Sequence, residues 1–92
     1  MKFDLGQLVV TRGVNEAIAE SAQFSRFVHE SLKRYIVCDW GEMCSEDALM
    51  NDKAVEFNDD RIFARYNSDL GDLYIITEYD RSYTTILFPD EY

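Results

Sequence analysis

Residues 35–47 read YIVCDWGEMCSED. Cys38 and Cys44 flank the chain's single tryptophan, and Asp39, Glu42, Glu46 and Asp47 crowd around it. Thiols with a nearby histidine are the residue types that hold zinc or build a thiol nucleophile. The spacing argues against both uses. Structural zinc is held by paired cysteines two to four residues apart. Here five residues separate the two cysteines, His29 lies on a helix before them, and no fourth strong ligand follows. Paired carboxylates can share acid–base work, but nothing sets two of them at catalytic spacing. No glycine-rich phosphate loop, His-Glu zinc motif or nucleophile elbow occurs. The sequence therefore assigns no catalytic residue, no metal ligand and no cofactor, and it leans away from an enzyme.

Four residues remain as ligand-binding candidates: Asp39, Trp40, Asn51 and Arg81. Trp40 beside Gly41 is either a plug at a helix-to-helix corner, locked by Asp39, or the centre of a recognition site ringed by acids. Asn51 falls on the inner stripe of a helix, where a buried amide must find partners or cost about 1–3 kcal/mol. The Asp39–Gly41 corner is the expected partner, and a bound ligand is the alternative. Arg81 lies in a hairpin turn, where it would pair with Asp80, Glu78 or an acid of a partner.

Charge narrows the class of partner. The chain has 18 acidic and 9 basic residues, net −9. Residues 1–38 are net +1, residues 39–60 net −7 and residues 61–92 net −3. Direct nucleic-acid binding needs Lys and Arg to displace counterions, so it is disfavoured. A protein with a basic surface is the natural counterpart. Glu42, Glu46, Asp47, Asp52 and Glu56 are the expected contact residues. Their carboxylates either keep the chain in solution or imitate DNA phosphates. No apolar run reaches the roughly 18–20 residues of a membrane span. The N-terminal MKFDLGQLVV lacks the charged and apolar regions of a signal peptide, so a cytoplasmic protein with reduced cysteines is expected.

The elements that must position these residues form one domain over residues 1–92. QLVVT (7–11) reads as a short strand ended by Arg12-Gly13. Apolar residues at three-and-four spacing from Val14 to Ile36 predict either one long helix or, the preferred reading, two helices meeting near Ser21–Ser25, with Ser25 capping the second. Glu30 and Arg34 on its wet face are set for a pair. Gly41 stops the helix, and a third helix runs from Ser45 to about Phe57. Its inner stripe is expected to be Cys44, Ala48, Asn51 and Val55. RIFARY (61–66), LYIITEY (73–79) and YTTILF (83–88) predict a three-stranded antiparallel meander packed on the helices. The fold class is α+β, and the first strand is expected to join the sheet. The Tyr83–Phe88 strand is the expected sheet edge, through which a homodimer would pair.

KFDLGQLVVTRG, DWGEM followed by ED and ND, and LYIITEYDRSYTTILFPDEY together resemble a family of small bacterial proteins labelled "plasmid related", found on plasmids and integrated mobile elements. The resemblance covers nearly the whole chain. Family members tend to place a histidine four residues before the DWG aspartate, where this chain has Tyr35. The family transfers little chemistry. It implies a mobile-DNA setting, where small acidic proteins that blunt host defence are common. The combined expectation is a protein-binding module acting through its acidic 39–60 face, as a DNA mimic or inhibitor of a defence protein. The alternative is a small enzyme or ligand binder centred on Trp40, Asn51 and Arg81.

Overall fold

The computed structural model describes residues 2–92. Gln7–Val10 forms β1. Thr11 then caps α1, Arg12–Glu20, its hydroxyl accepting from the Val14 N–H. The chain breaks at Ser21, whose backbone is extended, and restarts as α2, Ala22–Ile36. Ser21, not Ser25, is the cap: its Oγ accepts the Phe24 N–H at 3.1 Å, and Ser25 already donates back to Ser21 within the first turn. Val14, Phe24, Val28, Ser31 and Tyr35 are the buried positions of the two helices. Val14, Phe24, Val28 and Tyr35 belong to the three-and-four apolar pattern that predicts the helices, and the polar Ser31 is buried with them.

The third helix, α3, spans Ser45–Phe57 and ends at Asn58 in a left-handed conformation. Glu46 and Asp47 lie in its first turn, where the helix dipole favours anions. Asn51 and Ala54 are its buried residues; Cys44, expected on the inner stripe, is exposed. The last third folds as β2 (Ile62–Tyr66), β3 (Leu73–Thr77) and β4 (Tyr83–Leu87), closed by a 3-10 turn at Pro89–Glu91.

The sheet runs β1-β4-β3-β2. β2 with β3 and β3 with β4 are antiparallel, as the hairpin loops require. β1 joins parallel to β4, Gln7 opposite Tyr83 and Val10 opposite Ile86. The sheet is therefore mixed, not a purely antiparallel meander, and β4 is interior rather than the edge. The helical crossover explains the change, because β1 is separated from the meander by three helices that return the chain to the far side. A two-fold pairing through Tyr83–Phe88 is thereby excluded, since both flanks of β4 are occupied.

The register places Ile62, Ala64, Tyr66, Leu73, Ile75, Thr77, Thr84 and Ile86 on one face, all buried under the helices. Phe3, Tyr35 and Trp40 complete this core with edge-on ring contacts, Phe3 to Tyr35 at 5.4 Å and Tyr35 to Trp40 at 5.5 Å. Phe63, Tyr74, Ile76 and Leu87 share the other face, where the Tyr92 ring packs on Phe63 and Tyr74. Glu91 anchors this tail: its carboxylate accepts from the Phe88 N–H, the Thr11 hydroxyl and the Gly13 N–H. Those bonds, led by that from Phe88, hold the Glu91 carboxyl below its usual range.

A chain of hydroxyls crosses the core. Thr84 donates to the Leu5 carbonyl at 2.7 Å, Thr84 and Thr77 meet at 2.8 Å, and Tyr35 meets Thr77 at 2.7 Å. Tyr66 donates to the Asp39 carbonyl at 2.7 Å. Burial pushes both phenols far above the ordinary tyrosine value of 10.0. The unfolded chain ionises them near that value and the folded chain does not. Their stabilising contribution is complete below pH about 10 and is lost as pH rises further. The expected slope is about 1.4 kcal/mol per pH unit for each phenol. Urea titrations across this range check it: Tyr35→Phe and Tyr66→Phe should each remove one proton from the pH dependence.

Candidate functional site

The DWG corner is a folded lock. After α2, Cys38 takes a positive φ and the chain turns toward the sheet. Arg34 donates two hydrogen bonds to the Asp39 carboxylate, at 2.8 and 3.2 Å, and the same carboxylate accepts the Gly41 N–H. Arg34 thus pairs with Asp39 and not with Glu30, which lies by Lys33. The Arg34 bond holds the Asp39 carboxyl below its usual range. Trp40 is buried, and its indole N–H donates to Asp52 at 2.9 Å. Beyond it the chain runs alongside β2 as a one-residue parallel bridge, Gly41 opposite Arg65.

That bridge belongs to a continuous seal along the outer side of β2. The Arg61 N–H goes to the Asp60 carboxylate, and the Asn67 N–H to the Glu42 carboxylate. The Arg65 N–H reaches the Trp40 carbonyl, and the Arg65 carbonyl takes the Glu42 N–H. Phe63 between them is served by Asn51. The Asn51 Oδ1 accepts the Phe63 N–H at 3.2 Å, and its Nδ2 donates to the Phe63 carbonyl at 2.7 Å. One side-chain amide therefore does what a residue of a fifth strand would do. The expected partner of Asn51 was the Asp39–Gly41 corner; α3 instead lies along β2, and that corner's backbone is already committed to Arg65.

Asn51→Leu should cost about 2–3 kcal/mol, since it strips both partners from the Phe63 peptide groups. Asn51→Asp keeps the acceptor and sets a carboxylate against the Phe63 carbonyl. Its deficit in urea-unfolding free energy should shrink as pH falls and the new carboxyl gains a proton to donate.

Arg81 is likewise structural. It is buried, and its guanidinium donates to the carbonyls of Ala54, Asp60, Glu78 and Tyr79. No carboxylate pairs with it among these contacts, contrary to the pairing with Asp80 or Glu78 side chains that the turn suggests.

Apart from the buried Arg81 Nε, which has no partner among the described residues, the four ligand-binding candidates thus spend their polar groups on bonds within the chain. Asn51 borders a groove of about 290 Å³ between α3 and β2, lined also by Met43, Asp47, Met50, Asp60, Arg61 and Phe63. Asp39, Trp40 and Arg81 do not line it. Among the described residues, no three His, Cys, Asp or Glu side chains gather as a metal site. No described helix is long and apolar enough to cross a membrane.

No family model, curated protein or solved structure matches the chain.

The acidic candidates divide by role. Glu42 and Asp52 each hold a bond of the fold, to Asn67 and Trp40 respectively. Glu46, Asp47 and Glu56 are exposed on α3. They do not stand alone there. Leu49, Met50 and Phe57 are 53, 61 and 64% exposed. At 100° per residue, Glu46, Leu49, Lys53 and Glu56 share the face opposite Asn51 and Ala54, with Phe57 and Met50 along its edge, Met50 bordering the groove beside Asn51. Large apolar side chains are the component of this face that sequence reading missed. The visible signal was α3's lack of a single apolar stripe.

Proposed function

We propose that the chain is a non-enzymatic protein-binding module whose outer α3 face docks on a basic, partly apolar surface of a partner. The observation that carries this reading is the exposure of Leu49, Met50 and Phe57 beside Glu46 and Glu56 on one helix, with Asp47 exposed at the groove along its edge. Carboxylates alone would serve solubility. Apolar side chains of this size among them supply contact area that burial against a protein would reward. The acids steer the encounter and exclude acidic competitors. In the mobile-element setting that the resemblance implies, the fitting partner is a DNA-binding protein of host defence, with the α3 acids and Asp59 and Asp60 occupying phosphate positions.

The test is capture from a bacterial lysate with the wild-type chain and two variants, followed by direct binding to the identified protein. One variant carries Glu46→Gln, Asp47→Asn and Glu56→Gln; the other carries Leu49→Ser, Met50→Ser and Phe57→Ser. Glu42 and Asp52 stay unchanged because the fold uses them. The expected partner binds nucleic acid, is released by competing DNA and by salt, and is lost by both variants. If the acid variant retains the same partner as wild type, the charged face is a solubility device.

A further inference from the structure

We propose that β1 is the pairing edge of a two-fold homodimer, with β1 strands of two copies antiparallel and Val9 at the dyad. The two edges of this sheet are treated in opposite ways. β2 has every outward N–H from Arg61 to Asn67 bonded within the chain. β1 has none of this. Gln7 donates to the Ser82 carbonyl and Thr11 to the Ile86 carbonyl, so the odd-numbered residues face β4. The N–H and C=O of Leu8 and Val10 face the other way, and no partner for them occurs among the described residues. Leu8 is 45% and Val9 37% exposed. The strand QLVV carries no charge, proline or bulge of the kind that usually blunts an edge.

A second copy is the occupant that the charge pattern favours. The acidic 39–60 segment lies beside β2, at the opposite end of the strand order from β1. Around β1, Lys2 and Arg12 stand against Asp4, Glu16 and the Glu91 carboxylate held by Thr11 and Gly13, net −1 against −7 for residues 39–60. Two chains of net charge −9 thus meet with less repulsion at β1 than at the 39–60 side. Asp4 precedes the strand and Arg12, paired with Glu16 of its own chain, follows it, so an antiparallel copy brings Arg12 opposite Gly6, two residues from Asp4. Placing Val9 at the dyad pairs Leu8 of one copy with Val10 of the other. All four outward groups of each strand are then used. Because the other edge is sealed, the pairing closes as a dimer instead of propagating. The strand is short, so the dimer is expected to be a weak one.

Sedimentation equilibrium over a wide concentration range tests the proposal. The expected result is a reversible monomer–dimer equilibrium. Val9→Lys sets like charges face to face at the dyad and should weaken it at least about tenfold. Val9→Glu should do the same, and mixing the two variants should restore a dimer of one copy of each. Circular dichroism of each variant establishes that it is folded. In the wild type, amide exchange at Leu8 and Val10 should slow as concentration rises, which needs no substitution. The acid and apolar α3 variants should dimerise as the wild type does. A monomer at every concentration overturns the proposal. So does a dimer indifferent to Val9→Lys, a mixture that fails to pair, or a dimer lost in the α3 variants.

Discussion

Gly41→Ala is expected to cost about 3–5 kcal/mol, a large part of the roughly 5–15 kcal/mol that holds a domain folded. Gly41 has φ +75°, where an L side chain is strained by about 1–2 kcal/mol. Strain is the smaller component. A Cβ at Gly41 would run into the Arg65 carbonyl oxygen and lie 2.7 Å from the Tyr66 ring. The first of these is backbone and cannot swing aside. Relief requires the corner to lift from β2, which breaks the bonds of Arg65 with Trp40 and Glu42 and disturbs the Trp40 plug. Gly71→Ala is the matched control. Gly71 has φ +117° and open space where the methyl would go, so only strain is felt there. Urea unfolding of both variants separates strain from collision.

Arg81→Ala should be comparably damaging, again about 3–5 kcal/mol. Arg81 ties the end of α3 to the β3–β4 turn and to Asp60 before β2. The bond to the Ala54 carbonyl lies in the last turn of α3, where the helix dipole favours a cation. Removing the side chain strands the buried Ala54 carbonyl and takes a donor from the part-buried carbonyls of Asp60 and Tyr79, while that of Glu78 keeps the Arg81 N–H. Lysine keeps the charge but cannot fork between Ala54 and Asp60, so Arg81→Lys should recover only part of the loss. Arg81 also has φ +60°. Glycine relieves that strain, so Arg81→Gly should be more stable than Arg81→Ala by about 1 kcal/mol despite its smaller side chain. The ordering Lys, Gly, Ala in urea midpoint would establish both roles.

The elements were legible because their signals are local. The three-and-four spacing from Val14 to Ile36, the acids opening α3, and the alternation in IFARY and YTTIL each belong to a few adjacent residues. The parallel union of β1 with β4 was not legible, because strand pairing across three helices leaves no mark on either strand. Asn51 announced that it needed partners but not which ones; geometry chose Phe63. Arg81 gave no warning, since a turn arginine looks the same whether it meets water or four carbonyls. The acids of 39–60 looked alike in sequence. Only the fold separates Asp52 and Glu42, tied to Trp40 and Asn67, from Glu46, Asp47 and Glu56, tied to nothing among the described residues.

The parallel pairing of β1 with β4 also orders the events of folding. Gln7 finds its place only opposite Tyr83, so the strand made first waits for the strand made last. Closing a loop of that span costs on the order of 4 kcal/mol before any contact rewards it. The helices and the β2–β4 hairpins can form from nearby residues, but β1 docks late. A nascent chain therefore passes through a stage in which the QLVV segment is unpaired and β4 is itself an open edge. That stage is where misassembly and proteolysis have their opportunity, and mutations that weaken β1–β4 contacts should speed unfolding more than they slow folding.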